Sequence, residues 1–256
     1  MALIDTVLTF RDRENEPDPL KASWYLVSVC QVPDLFGDEL TIPKAAALAG
    51  AGAGSETLPV YRAAIADLPS DAAKLVQRRL KEAILKSTTF VGVPRALGAT
   101  RDFYASLKDE EIDDYGPRYE TYNDPEEQQR RASRGKKFFD ILWTPESAEG
   151  IRVTMKKHHP DLYLLNQKLI YEFWAADDRI LSNVETELLA IGALITMNCP
   201  DQLIWHMKGA IRHGATEQQV LLAYELGMAV AKATDCKLGK VPTLDEIDLG
   251  NSSFAF

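Results

Sequence analysis

Apolar residues recur at helical spacing through most of the second half of the chain. A period of about 3.6 residues puts such side chains on one face, which is typical of helices that pack on a core. Four long segments show this pattern: LYLLNQKLIYEFWAAD, NVETELLAIGALITMN, PDQLIWHMKGAIRH and TEQQVLLAYELGMAVAKA. Shorter helices are predicted over 136–144 and 147–158.

The boundaries of the last helices carry their own signals. Ser182 precedes Glu185 by three residues, and Thr216 precedes Gln219 by three, which is the spacing of a helical capping box. Gly214 stands directly after a helical segment, at the position where a glycine commonly ends a helix. These signals separate the last helices from one another.

The first half is also predicted to be helical, although its pattern is less regular. Helices are expected within 18–36, over VYRAAIADL, over DAAKLVQRRLKEAILKSTTF and after Pro94. The run GAGAGS (50–55) has the glycine content of a phosphate loop but lacks the Lys-Ser/Thr of one. No segment alternates as a strand would, so the sequence predicts an all-α fold.

Residues 108–135 form the most polar stretch, with an acidic block followed by a basic one. We predict a solvated connector between two halves of the chain. The alternative is an ordered arm that wraps a partner subunit.

The composition excludes several classes of function. A net charge of −9 makes nucleic acid and anionic membrane surfaces poor partners. No apolar run approaches the ~20 residues of a membrane span. The cysteines, Cys30, Cys199 and Cys236, lie far apart and form no CxxC. Because the N-terminus also lacks the features of a secretory signal, we predict a cytoplasmic protein.

Three polar residues are predicted to share one site. Cys199, Gln202 and His206 are spaced i, i+3 and i+7, and Pro200 starts their helix, so they fall near one helix face. The helix N-terminus favours an anion, which would lower the pKa of the Cys199 thiol. Glu187 lies on the preceding apolar helix, where a carboxylate needs a partner or a proton. A hairpin near residue 198 would bring Glu187 and His206 together.

This constellation allows two interpretations. A carboxylate, an imidazole and a thiol in an apolar setting suit proton transfer, but a lone His or Cys is more often simply part of a core. Tyr171 and Trp174, three residues apart on a predicted α-helix, could line a ligand cavity, and Trp205 is a candidate for the core or the pocket wall. No third ligand for a metal ion is evident beside the Glu–His pair, so none is predicted.

The segment from 185 to 220 resembles the core of the carboxymuconolactone decarboxylase and alkylhydroperoxidase D-like superfamily. The matching pattern is L-x-x-H-x-x-G-A-x-x-x-G-A-T, read here over 203–216 with His206 as its histidine. The upstream stretches RRASRGKKFFDILW and PDLYLLNQKLIYEFWAADDRILS are similar to the lead-in of that family. The resemblance covers about 130–232 well and 60–105 faintly.

The resemblance implies a helical fold made of two tandem lobes. Residues 1–127 would form a degenerate N-terminal lobe with its connector, and residues 128–256 the lobe that bears the motif. A faint repeat supports this division, because 81–99 can be laid beside 186–210 with Pro94 opposite Pro200. The position opposite His206 is then Thr100, so the first copy lacks the histidine.

The thiol-peroxidase branch of the superfamily has a second cysteine where this chain has Gln202. Without that thiol, a dithiol cycle cannot run within the motif. The resemblance therefore favours the decarboxylase-like branch, which uses neither a metal nor an organic cofactor. In that reading His206 is the general acid and base, Glu187 orients it or takes the proton, and Cys199 helps to bind or polarise the substrate.

The sequence thus leads to a first function hypothesis and two alternatives. The first is a cofactor-independent lyase or isomerase that acts on a small carboxylated lactone or enol, with Gln202, Trp205, Tyr171 and Trp174 binding the substrate. A thiol-dependent peroxidase using Cys199 and a non-catalytic oligomeric binding protein are the alternatives. A homo-oligomer is expected, because helix faces would otherwise stay exposed.

Overall fold

The computed structural model of the chain describes residues 3–18, 20–29, 57–236, 238–239 and 241–249. Within these ranges the regular elements are helices and no strand occurs, so the predicted all-α class is confirmed. The α-helices in chain order are α1 Leu3–Glu14, α2 Trp24–Val29, α3 57–65, α4 Ser70–Val91, α5 Val93–Ala105, α6 Pro117–Glu120, α7 Pro125–Trp143, α8 Pro145–His158, α9 Pro160–Tyr163, α10 Asn183–Thr196, α11 Pro200–Arg212 and α12 Glu217–Ala233. A π-helical segment, Leu164–Ala175, continues α9 directly.

Helix α10 lies at the centre of the main core. Its residues from 186 to 196 are all buried, because α12, α11, α4 and α2 pack around it. A helix that is apolar on every side must be enclosed in this way. Helix α1, which the sequence analysis did not predict, packs on α12 and α2 through Val7 and Phe10.

A second, smaller core lies beside the first and joins α7, α8 and the π-helical segment. Phe138, Phe139 and Trp143 of α7 pack there with Tyr171 of the π-helical segment. Gly135 allows the close approach, because a Cβ at this position would lie 2.6 Å from the Cα atom of Glu172. The two cores meet at α11, and the candidate site lies at this junction.

The capping signals found in the sequence are confirmed. Ser182 and Glu185 form the capping box that starts α10, and Thr216 and Gln219 form the one that starts α12. Gly214, at φ 103°, ends α11 with two bonds, one from its own N–H to the Ile211 carbonyl and one from the next N–H to the carbonyl of residue 210. This pair of bonds is the Schellman motif.

The hairpin predicted near residue 198 is present between α10 and α11. Asn198 adopts a left-handed conformation, with φ at 54°, and its N–H donates to the Ile195 carbonyl. The N–H of Cys199 donates to the Leu194 carbonyl, so this helix also ends in a Schellman motif. The turn directs α11 back along α10.

The polar stretch 108–135 is not the solvated connector that the sequence predicted. Four of its charged residues are buried: Asp113, Arg118, Glu127 and Arg131. They bond to the chain's own helices, as in the paired hydrogen bonds from Arg78 of α4 to Asp113. Charge alternation could not reveal this, because buried ion pairs and solvated ones have the same sequence pattern.

The lobe boundary at residue 127 stays a prediction, and the main core crosses it. Residues of α4 and α5 pack in one cluster with residues of α10, α11 and α12. Helices α4 and α5 form a hairpin around Gly92, as the faint repeat predicted, and Thr100 is buried in α5. Predictions for Cys30 and for 30–56 fall outside the described residues. No helix among the described residues is long and apolar enough to cross a membrane.

Candidate functional site

A cavity of about 760 Å³ lies between the two cores. Its walls come from helices α4, α7, α8, α9, α10 and α11 and from the π-helical segment. The walls are mostly apolar, and the polar groups His206 and Glu187 line one side of the cavity. The volume lies within the range of roughly 300–1,000 Å³ that is usual for sites of small organic ligands.

Glu187 and His206 meet in this cavity, as the hairpin geometry predicted. The Glu187 Oε2 atom lies 2.8 Å from the His206 Nδ1 atom. Both side chains are buried, and only 1% of the Glu187 side chain is exposed. A carboxylate can only accept, so Nδ1 is the donor in this bond, and in the neutral form of the ring the lone pair is then on Nε2.

The Nε2 atom of His206 opens into the cavity. No described residue gives it a hydrogen bond, and it is not among the polar atoms sealed from solvent without a partner. The ring is held from two sides, by Glu187 and by the ring of Phe90, which meets it edge-on with centroids 5.3 Å apart. A fixed imidazole with one open nitrogen can give or take a proton on a bound molecule.

Gly209 brings α11 close enough for this pair to form. A Cβ at Gly209 would lie 2.2 Å from the Leu142 Cδ1 atom and 3.1 Å from the Glu187 Oε2 atom. The glycine that follows the histidine by three residues in the sequence motif therefore leaves room for the carboxylate and for α7.

Lys86 lines the same cavity, but its ammonium group is already bonded. Its Nζ atom donates to the carbonyls of Ala175 and Asp177 and to Thr186 Oγ1, at 3.0, 2.8 and 2.7 Å. Burial lowers the pKa of Lys86 to about 8, and the nearby Glu82 opposes this shift. Lys86 thus fastens the end of the π-helical segment to α4 and α10, and all three of its donors are in use.

Three of the predicted substrate-binding residues line the cavity, namely Tyr171, Gln202 and Trp205. Burial and the charge of Glu187 raise the pKa of Tyr171, so its phenol stays protonated at neutral pH. Gln202 is exposed on the solvent side of the cavity, and Trp205 packs against Trp143 with ring centroids 4.9 Å apart.

The structure does not place Trp174 in this cavity. Its ring lies 5.2 Å from the Arg118 guanidinium, in a separate groove beside Tyr119 and Tyr122. The prediction assumed an α-helix, in which residues three apart share a face. The i→i+5 bonding of a π-helix widens each turn, so Tyr171 and Trp174 point apart.

The structure does not place Cys199 in the cavity either. Its Sγ atom donates to the Met197 carbonyl at 3.3 Å, and it makes no cap to the amides that start α11. Partial burial raises the pKa of the Cys199 thiol, which is opposite to the effect expected at a helix N-terminus. In the described part of the chain, neither Cys199 nor Cys236 forms a disulfide.

His213, seven residues after His206, packs its ring on Phe138 with centroids 4.4 Å apart. Burial lowers the pKa of His213, and its Nε2 atom is buried without a hydrogen bond. The described part of the chain holds no group of three His, Cys, Asp or Glu side chains placed to bind a metal ion.

Several cavity residues were missed by the sequence reasoning. Phe90 of α4 and Asn166 of the π-helical segment both line the cavity. Asn166 precedes Tyr171 by five residues, which is a shared face only when the helix is π-wound. The sequence did contain a signal for Lys86, because a lysine within the apolar stripe of α4 needs buried hydrogen-bond acceptors.

Comparison with known proteins supports the family resemblance. Residues 164–235 match the model of the carboxymuconolactone decarboxylase family. This part of the chain is similar to that family. The matched region includes both Glu187 and His206, so the carboxymuconolactone decarboxylase-like region supplies this buried pair, while Phe90 and Lys86 come from outside it.

A curated relative extends the similarity beyond the carboxymuconolactone decarboxylase-like region. The chain is 27% identical over 167 residues to "Peroxisomal protein 2" of Schizosaccharomyces pombe. The aligned region covers 65% of this chain and 75% of the relative. No solved structure matches the chain.

Proposed function

We propose that the protein is a cofactor-independent lyase or isomerase that works by general acid–base catalysis. His206 Nε2 would take a proton from the substrate and return it, while Glu187 holds the ring and stabilises its charged form. The observation that carries the proposal is the buried Glu187–His206 pair, with one ring nitrogen open to a cavity of ligand size.

The cavity also weighs against the non-catalytic alternative. In a purely structural role, the space beside the pair would be filled by packed side chains. Instead, an open cavity adjoins the imidazole. Apolar walls lower the local dielectric constant, which strengthens the interaction between a carboxylate and an imidazolium.

Proton exchange tests the proposal without knowledge of the full reaction. Two enolisable probes, 2-decanone and the carboxylated lactone paraconate, are incubated with the protein in D₂O, and loss of the α-proton signal is followed by NMR. We expect His206→Asn to slow the catalysed exchange by about 10²–10⁴-fold. Glu187→Gln is expected to slow it by at least about tenfold, because the ring loses its orienting charge.

Cys199→Ser is the matched control, since this thiol lies outside the cavity. It should exchange both probes at the wild-type rate. Failure of the wild type to exchange either probe, or an unchanged rate in His206→Asn, would contradict the proposal. Circular dichroism spectra of the variants establish that each is folded.

The thiol-peroxidase alternative has less support from the site. The Cys199 thiol bonds to a backbone carbonyl, has a raised pKa and has Gln202 in the place of a partner cysteine. We expect the reduction of cumene hydroperoxide with dithiothreitol to proceed equally in wild type and Cys199→Ser. A rate that depends on Cys199 would favour the peroxidase instead.

The cellular location is a separate proposal. The sequence predicts a cytoplasmic protein, whereas the Schizosaccharomyces pombe relative is named a peroxisomal protein. We retain the cytoplasm as the proposed location. A fluorescent fusion at the N-terminus, imaged beside a peroxisomal marker, would contradict this if the two signals coincide.

A further inference from the structure

The walls of the cavity can surround a large apolar body. The side chains that form them are mainly aromatic or branched, namely Phe90, Phe138, Phe139, Trp143, Ile151 and Ile170. Leu162, 43% exposed, continues this apolar lining to the surface. Apolar surface of this kind favours a ligand that removes its own apolar area from water.

The described walls hold no free cation for an acidic ligand. Their titratable groups are Lys86, Tyr171, Glu187 and His206. Lys86 has committed its three donors to backbone and hydroxyl oxygens. A carboxylate or phosphate in the cavity would therefore lie near the Glu187 carboxylate without a cationic partner, which is costly in an apolar setting.

Three neutral polar atoms of the cavity wall are also engaged in hydrogen bonds within the protein. Thr89 Oγ1 donates to the Lys86 carbonyl, and Thr186 Oγ1 donates to the Ser182 carbonyl. Asn166 Oδ1 accepts from Gln167. His206 Nε2 is therefore an open polar atom beside the apolar walls, and it can accept one hydrogen bond or a proton from a ligand.

We propose that the ligand of this cavity is a predominantly hydrophobic carbonyl compound with one uncharged polar head. The carbon beside its carbonyl lies at His206 Nε2, which can take a proton from it, and the apolar body lies against the aromatic walls and extends towards Leu162. The role given to His206 in turnover rests on the proposed function, whereas the fit of the apolar body does not. This ligand class differs from the carboxylated lactone that the family resemblance implied.

Isothermal titration calorimetry of the protein tests the ligand class. The probes are 2-decanone, 2-hexanone, decanoate and paraconate at pH 7.5. Each buried methylene should tighten the dissociation constant by about fourfold, so 2-decanone should bind on the order of 100-fold more tightly than 2-hexanone. Decanoate, of equal chain length, should bind at least about tenfold more weakly than 2-decanone.

Gly150 offers a variant that blocks the cavity with little risk to folding. It lies on the cavity wall in α8, it is exposed, and a Cβ there would meet nothing within 4 Å. Gly150→Trp should weaken 2-decanone binding at least about tenfold. Val153→Trp is the matched control, because this exposed residue of α8 is not part of the cavity wall and should leave binding unchanged.

Two results would overturn this inference. One is an affinity that does not depend on chain length, and the other is binding of decanoate or paraconate as tight as that of 2-decanone. Binding is measured without turnover, so the two proposals fail separately. Tight 2-decanone binding without proton exchange would remove the proposed function and keep the ligand class. Proton exchange of paraconate together with weak binding of 2-decanone would remove the ligand class and keep the proposed function.

Discussion

At the scale of single residues, the space at position 209 determines whether the Glu187–His206 pair can form. Gly209→Ala would press a methyl group onto Leu142 and towards the Glu187 carboxylate. We expect the free energy of unfolding to fall by about 1–3 kcal/mol, because overpacking forces neighbours to shift. Urea denaturation at pH 7 measures this change, and the proton-exchange rate should fall with it.

Gly150→Ala is the matched control for that variant. Gly150 is also a helical glycine, but it is exposed and its added methyl group meets nothing within 4 Å. Replacing it should raise the free energy of unfolding by up to about 1 kcal/mol, since alanine favours the helix. Equal changes in the free energy of unfolding for the two substitutions would show that close packing at Gly209 does not limit the size of its side chain.

At the scale of elements, buried cations hold the π-helical segment in place. Arg118 bonds Glu82 through two nitrogens, at 2.9 and 2.6 Å, and also donates to the carbonyls of Phe173 and Trp174. The last carbonyls of a helix lack partners of their own, so a cation beside them is stabilising. Lys86 likewise donates to the carbonyls of Ala175 and Asp177 at the end of this segment.

Arg118→Met should therefore destabilise the protein strongly. The change leaves the Glu82 carboxylate buried without its main partner, which we expect to lower the free energy of unfolding by about 3 kcal/mol. Arg130→Met is the control, because Arg130 also contacts several carboxylates but is exposed. This replacement should lower the free energy of unfolding by less than about 1 kcal/mol. Thermal and urea unfolding of both variants measure the contrast, and similar losses would contradict it.

Lys86 predicts a specific dependence of stability on pH. Its pKa is lowered to about 8 in the folded protein, from an ordinary value of 10.5. Between these two values the unfolded chain binds more protons at this group than the folded one, so the contribution of Lys86 to the free energy of unfolding rises with pH. Below pH 8 both states are protonated and this contribution is constant.

The comparison of wild type with Lys86→Met isolates that contribution. From pH 8 to 10 the wild type should gain stability relative to the variant, by at most about 1.4 kcal/mol per pH unit. From pH 6 to 7.5 the difference should stay constant. A stability difference that stays constant from pH 6 to 10 would show that burial does not lower the pKa of Lys86.

The elements also show how far sequence alone could lead. Capping boxes, Gly214 and the apolar period predicted α10, α11 and α12, and the spacing of Glu187 and His206 predicted their contact. These features are local, or lie on two helices joined by a tight turn. The winding of 164–175, the burial of Arg118 and the contribution of Phe90 depend on distant helices, so local patterns could not reveal them.

At the scale of the whole molecule, apolar side chains remain on the surface beside the cavity. Leu162, Leu164, Leu165 and Leu169 are each more than 40% exposed. Together they form an apolar patch of α9 and the π-helical segment, of a kind that is uncommon on monomers. The homo-oligomer expected from the sequence remains a proposal, and this patch is the surface that we assign to it.

Light scattering after size-exclusion chromatography tests this assignment. The wild type should elute as more than one 28.5 kDa chain at micromolar concentration, and Leu165→Asp with Leu169→Asp should yield the monomer. Leu97→Asp, at another exposed leucine on α5, should leave the oligomer intact. A monomeric wild type would contradict the proposal.

The π-helical segment has a consequence for how this cavity changes between related proteins. Each of its turns holds more residues than an α-helical turn, and because of that winding Tyr171 faces the cavity together with Asn166 and Ile170. Rewinding the same residues as an α-helix would rotate Tyr171 away from the other two. Loss or gain of one residue between Leu164 and Ala175 would therefore remodel ligand selectivity while every wall residue stayed chemically the same.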